Sequence, residues 1–256
     1  MKKSFTLIEL LIVVIIIGIL AYSLSFKFNN SLQVAADKII KDIRYTQSLA
    51  LKEDKYQPFP ENNSSIEQNR SKYWFKQWWQ IRFTQNKNDK NYWYEIFSDQ
   101  PIDNKYNFDK VGNYPPKNNY WDIGYAKNPL TNKYMVGKCD NSSHRSYPNC
   151  NEYSPELNLS KYNIKLIQFD VGNGLKTISS NNSLRFVFDN LGNIFLDEGK
   201  KGDSGDINPL DKENRKLLVT TVKIRLCLDN PCIINKNRCI NINITPTGEV
   251  YKSLCN

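Results

Sequence analysis

The first two dozen residues constrain this chain more than any other stretch. Met1-Lys2-Lys3-Ser4 leads into Phe5-Thr-Leu-Ile-Glu9-Leu-Leu-Ile-Val-Val-Ile-Ile-Ile-Gly18-Ile-Leu-Ala21, an apolar run broken by one acid. No residue from Leu10 to Phe26 is charged. Together with Phe5–Ile8 this is enough helix, at about 1.5 Å per residue, to cross a bilayer core of about 30 Å. The β-branched residues are no obstacle, because in lipid the backbone must satisfy its own hydrogen bonds and a helix does so. Lys2 and Lys3 ahead of the run predict a cytoplasmic N-terminus, with everything after Phe26 outside. Glu9 is the anomaly, since a lone carboxylate inside an apolar span is costly and calls for a partner.

A secretory signal would carry a small-residue cleavage site after its apolar region, and Ala21-Tyr22-Ser23 meets that description only weakly. The junction of Ser4 and Phe5 is the better site. Cutting there removes both lysines and frees an α-amine close to Glu9. A helix cannot fold its own end back on itself, so the amine that neutralises Glu9 comes from a neighbouring subunit.

Lys-Ser-Phe-Thr-Leu-Ile-Glu-Leu-Leu-Ile-Val-Val-Ile-Ile-Ile-Gly-Ile-Leu-Ala closely resembles the class III signal of type IV pilins and type II secretion pseudopilins. The resemblance implies cleavage by a prepilin peptidase between Ser4 and Phe5, N-methylation of Phe5, and Glu9 as the assembly glutamate. The family usually has glycine before the cut, where this chain has Ser4. Many major pilins also carry a helix-bending proline in the membrane half, and here there is none before Pro58.

Downstream the helix should continue. Leu32, Ala35, Ala36, Ile39, Ile40, Ile43, Ser48, Ala50 and Leu51 recur mostly at three- and four-residue steps, with Asp37, Lys38, Lys41, Asp42 and Arg44 between them. The expected domains are a leader at 1–4, a long helix at 5–54 with a transmembrane part at about 5–26, and an exported globular domain at 55–256. A helix over 5–54 would be about 75 Å long. Roughly 200 residues remain for a domain with its own core.

That domain reads as β-rich. Trp78–Thr84 and Asn91–Phe97, joined by Gln85–Lys90, predict a hairpin. Residues from about 100 to 160 form a loop-rich insert, with Pro115-Pro116, Pro129, Pro148 and Pro155. Strand signals return at Ile164–Val171, at Leu184–Phe188 turning back as Ile194–Leu196, at Leu217–Leu228 as one strong strand, and at Cys239–Ile244 turning into Glu249–Tyr251. Residues 198–214 read as a charged loop. The expected class is α+β, a type IV pilin-like fold with the long helix packed on an antiparallel sheet. Phe186–Gly192 and Arg238–Gly248 loosely resemble a hairpin and a final strand segment of the minor pseudopilin branch, the GspH/FimT type. The insert departs from that branch.

All six cysteines, Cys139, Cys150, Cys227, Cys232, Cys239 and Cys255, lie beyond the apolar run. An even number in an exported part fits disulfides in an oxidising compartment. No Cys-x2-Cys pair is present, and the spacings match no common zinc site. Among fifteen connectivities, Cys139–Cys150, Cys227–Cys232 and Cys239–Cys255 are preferred, the last because folding the final hairpin about its turn brings its two cysteines together.

Catalytic chemistry is not visible. His144, the one histidine, sits in a Ser-Ser-His-Arg-Ser loop with nothing to orient it. Asp197, Glu198, Asp203, Asp206 and Asp211 are oxygen-rich, as calcium sites are, but their spacing fits no calcium loop and lysines interleave. They read as a solvated loop, and neither a metal nor a cofactor is expected. The formal charge is +9. Without Lys2 and Lys3, 33 basic residues stand against 26 acids, 33 − 26 = +7. A moderately basic surface permits DNA binding without demanding it. Aromatics and bases mix over Lys72–Arg82 and at Lys87, Lys90, Tyr92 and Trp93, a recipe for stacking on single strands, though core packing is the preferred reading. Lys223, Arg225, Lys236 and Arg238 form a second, weak basic patch.

The resulting expectation is a minor pilin or pseudopilin subunit, not an enzyme. It would be anchored once in a bacterial inner membrane, with its domain in the periplasm until it enters a filament. Its partners would be prepilin peptidase and the other subunits. It would serve protein secretion by initiating or capping the filament; the alternative is DNA uptake through a basic surface.

Overall fold

The computed structural model describes residues 7–53, 59–64, 68, 71, 78–98, 124–139, 148–200 and 216–255, with backbone alone at 21–30, 197–200 and 216. One helix, α1, runs over Leu7–Lys52. Its 46 residues correspond to about 69 Å at the usual helical rise.

From Leu32 onward the three- and four-residue spacing does what it predicts. Leu32, Ala35, Ala36, Ile39, Ile40, Ile43 and Ala50 are buried along one stripe. The alanines let the helix approach the sheets closely. Leu51 departs from the expected face and is exposed, since it lies about 100° around the helix from buried Ala50.

Among the described residues, ten strands form two antiparallel five-stranded sheets. The first has the order β2 (Tyr92–Ser98), β1 (Trp79–Gln85), β5 (Asn182–Phe188), β6 (Ile194–Lys200), β7 (Lys216–Leu217). The second has the order β10 (Val250–Leu254), β9 (Cys239–Ile244), β8 (Val222–Cys227), β3 (Leu166–Asp170), β4 (Leu175–Thr177). Helix and sheets together make the α+β class expected of a pilin-like chain. The main core joins the helix stripe to Ile81, Phe83, Tyr94 and Phe186 of the first sheet and to Ile167, Ile224, Ile242 and Val250 of the second.

The predicted hairpin pairs Trp79 with Ser98 through Gln85 with Tyr92. The second joins β5 to β6 from Phe188–Ile194 outward. Two expectations are corrected. The strong strand read over Leu217–Leu228 is two strands on different sheets: Leu217 pairs with Phe195 of β6, whereas Val222–Cys227 pairs with β9. A uniform run of strand-forming residues does not mark where the backbone leaves one ladder for another. Residues 198–200 are strand and not loop, because Asn182, Ser183 and Leu184 of β5 hold their backbone in register. His144, Asp203, Asp206 and Asp211 lie outside the described residues, as do Ser4 and Phe5.

The described parts of the insert have a structural task. β2 is an edge strand, yet every one of its residues is buried. Ile96 N donates to Met135 O, Ala126 N to Ile96 O and Gly137 N to Tyr94 O, at 2.9, 3.0 and 3.0 Å. The insert thus occupies the hydrogen-bonding edge that would otherwise invite association. Tyr125, Tyr134 and Val136 also pack on Trp93 and Phe97 behind the sheet. The approach is close enough that a Cβ at Gly137 would lie 2.5 Å from Leu157 O, which leaves room for glycine alone.

Candidate functional site

The helix divides into two unlike halves. Along Leu7–Leu20 every described side chain is exposed, and the apolar ones circle the helix: Leu7 is 84% exposed, Ile15 52% and Leu20 57%. An all-round apolar helix finds its surroundings in lipid or in other helices. Glu9 sits in its first turn, on the exposed surface. The apolar part with described side chains is about 21 Å long by the helical rise. Among the described residues no helix is long and apolar enough to cross a membrane; the span expected over 5–26 extends beyond Leu7 and Leu20 at both ends.

The second half is fastened to the head by named bonds. Arg44 Nη2 donates to Val250 O at 2.7 Å, Gln47 Nε2 to Gly248 O at 2.9 Å and Tyr45 Oη to Lys127 O at 3.0 Å. Gly248 adopts φ +86° in the β9–β10 turn, a left-handed conformation that a side chain would strain. A Cβ there would also stand 3.1 Å from Gln47 Nε2. At the centre lies Asp42, 3% exposed. Tyr94 Oη donates to Asp42 Oδ2 at 2.6 Å, and Lys38 Nζ lies 2.5 Å from the same oxygen. Burial raises the Asp42 carboxyl above the ordinary aspartate value, against the pull of Lys38 and Tyr94. Tyr94 is pushed well above the ordinary tyrosine value, first by burial and then by the Asp42 charge.

The cysteines stand in three pairs. Cα–Cα distances are 4.9 Å for Cys139 and Cys150, 5.4 Å for Cys227 and Cys232, and 5.9 Å for Cys239 and Cys255. All three fall within disulfide range.

The basic patch is not one surface. Arg225 is 6% exposed, and its Nε donates to Asn241 Oδ1 at 3.2 Å. Arg238 is held by Asp229, with Nε donating to Oδ2 at 2.7 Å. Lys223 is half-buried in β8, and Lys236 is exposed on the β8–β9 loop. Lys223 and Arg225 share a face of β8, but burial withdraws Arg225 and the Asp229 carboxylate engages Arg238.

The aromatic segment is largely core: Trp79, Tyr92, Trp93 and Tyr94 are buried. Trp78 stacks on Phe195 with centroids 5.0 Å apart. Arg82 pairs with Glu95 across the β1–β2 ladder, and Tyr125 Oη donates to the other Glu95 oxygen at 3.2 Å. The Arg82–Glu95–Tyr125 group was not legible in the sequence, because Tyr125 arrives from the insert. Among the described residues no group of histidine, cysteine and acidic side chains could hold a metal.

Residues 1–21 match the family model described as the prokaryotic N-terminal methylation motif, the type IV pilin and pseudopilin signal. No curated protein and no solved structure matches the chain. The motif implies processing by prepilin peptidase, insertion into the inner membrane and assembly with other pilin subunits.

Proposed function

We propose that this chain is a minor subunit of a type II secretion or type IV pilus-like filament, helping to initiate or cap it for protein secretion. The observation that carries the reading is the methylation motif placed on a helix whose first half is apolar and exposed all round, while its second half is built into a folded head. The helix holds the subunit in the inner membrane through about residues 5–26, with Lys2 and Lys3 on the cytoplasmic side and the head in the periplasm. Prepilin peptidase cuts between Ser4 and Phe5, and Phe5 is then methylated. In the filament, helices of this kind pack against one another, and Glu9 meets the α-amine of a neighbour's Phe5. Removing a carboxylate's desolvation cost only where a second subunit supplies the cation ties its burial to correct axial register.

The placement among minor subunits rests on the resemblance at Phe186–Gly192 and Arg238–Gly248. The three cysteine pairs are disulfides in this reading, suited to a periplasmic head. Alkylation of the denatured, unreduced protein should then find no free thiol; six reactive thiols would refute it. The decisive test is mass spectrometry of the mature chain from cells with the peptidase. The expected N-terminus is N-methylated Phe5, and an intact Met1 overturns the proposal.

DNA uptake is less well supported, since Arg225 is buried and Arg238 is paired with Asp229. If the protein bound DNA electrostatically, duplex retardation would fall steeply with added salt; absence of any salt-sensitive retardation removes this alternative.

A further inference from the structure

A second feature lies on the other face of the second sheet from the helix. One transverse row of the second sheet is polar from edge to edge: Thr177 on β4, Gln168 on β3, Arg225 on β8, Asn241 on β9 and Ser253 on β10 are successive register partners. They share the face turned away from the helix stripe, because strand side chains alternate and Ile224, Leu226 and Ile242 take the core face. Over this row opens a cleft of 510 Å³, lined by Arg225, Gln168, Thr177 and Ser179 and walled by the tip of the β1–β2 hairpin and by Asn230–Cys232.

Arg225 is the unusual member. It is 6% exposed, and a buried guanidinium normally has a carboxylate beside it. Among the described residues its side chain makes one hydrogen bond, from Nε to Asn241 Oδ1. Asn241 is itself held by donating to Leu254 O at 2.8 Å, so it fixes the Nε side of the fork. The two Nη groups have no acceptor among the described residues. Among the described residues no acid lines the cleft. Two acids at the ends of the neighbouring strands are engaged: Asp170 of β3 accepts from Gly172 N and Gly174 N, and Asp229 after β8 accepts from Arg238. The Gln168 side chain also has no partner among the described residues, and it sits between Arg225 and Thr177 in the ladder.

We propose that this cleft binds a carboxylate. A single guanidinium matches a carboxylate through two parallel hydrogen bonds and balances its one negative charge. The Gln168 amide and the Thr177 and Ser179 hydroxyls supply neutral donors around it. A phosphate dianion would leave charge unbalanced on a site with one cation. The carboxylate belongs either to a free small acid or to an acidic side chain of a peptide.

The test is calorimetric titration of the full-length protein in detergent at low ionic strength. Three probes are used in parallel: propionate, the peptide acetyl-Ala-Glu-Ala-amide, and inorganic phosphate. The expected result is saturable binding of propionate or of the peptide, with phosphate at least tenfold weaker, and the arm that binds more tightly identifies the source. Arg225→Gln should weaken binding at least tenfold, and Arg225→Lys should weaken it less, since it keeps the charge and loses the fork. Should Arg225→Gln lose its near-ultraviolet dichroism, Gln168→Leu and Thr177→Val stand in its place, each expected to weaken binding severalfold. The proposal is overturned by no carboxylate binding, by phosphate binding as tightly as the carboxylates, or by folded variants that bind like the parent.

Discussion

Leu7–Leu20 and Leu32–Ala50 belong to one unbroken helix, yet they meet different surroundings. The first segment is apolar on every side and keeps its side chains exposed. The second is apolar on one stripe and has spent it on the head. The difference shows that helix formation and helix burial are separate matters. Backbone hydrogen bonds sustain both halves, while the side-chain pattern decides whether the partner is the chain's own sheets or other molecules. The polar residues divide in the same way. Asp42 has its partners, Tyr94 and Lys38, inside the subunit, whereas the proposed partner of Glu9 lies in another one.

Substitutions in the two halves should therefore fail in different assays. The largest effect is expected from Glu9→Ala. The protein should insert and its head should melt as before, while incorporation into filaments falls more than tenfold. Normal incorporation would erase the distinction drawn for Glu9. Next comes Ile43→Ala, which empties a fully buried site and should cost about 2–5 kcal/mol of head stability in denaturant unfolding. A loss below about 1 kcal/mol would show that the stripe is not what holds the helix.

Asp42 gives a smaller and pH-dependent effect. Its folded-state carboxyl is raised above the ordinary value of 3.8, so the folded state binds its proton more readily than the unfolded state does. The contribution to stability is fully present below the ordinary value and is lost as pH rises through the raised one. Asp42→Asn should flatten that portion of the stability–pH curve, and superimposable curves for variant and parent would refute the assignment. The smallest effect is expected from Lys252→Ala. Lys252 Nζ lies 2.7 Å from Asp37 Oδ1, but both side chains reach solvent, and such pairs contribute about 1 kcal/mol or less. A shift in melting as large as that of Ile43→Ala would mean that surface pairing, and not the apolar stripe, docks the helix.

Local patterns made much of the molecule legible. The apolar run with one acid announced the helix and its processing signal. The steps from Leu32 to Ile43 marked the face that the head covers. Turn residues between strand formers located the β1–β2 and β5–β6 hairpins. The preferred cysteine pairs are the ones the fold brings within disulfide reach, and two of the three span short sequence separations or a single loop.

What stayed hidden depended on neighbours far away in the chain. Leu217 and Val222 are five residues apart and lie on different sheets, because the first pairs with Phe195 of β6 and the second with Ile244 of β9. Arg225 and Arg238 read as a surface patch, but pairing with Asn241 buried the first and a loop acid engaged the second. The sequence by itself determined the long helix, its apolar entry and its signal, since these rest on runs of adjacent side chains and the 3.6-residue turn. Only the tertiary structure decided which strands share a sheet, how the insert closes the β2 edge and where an arginine lines a cleft without an acid. Those outcomes depend on which distant backbone edges and side chains meet, and no local spacing encodes that.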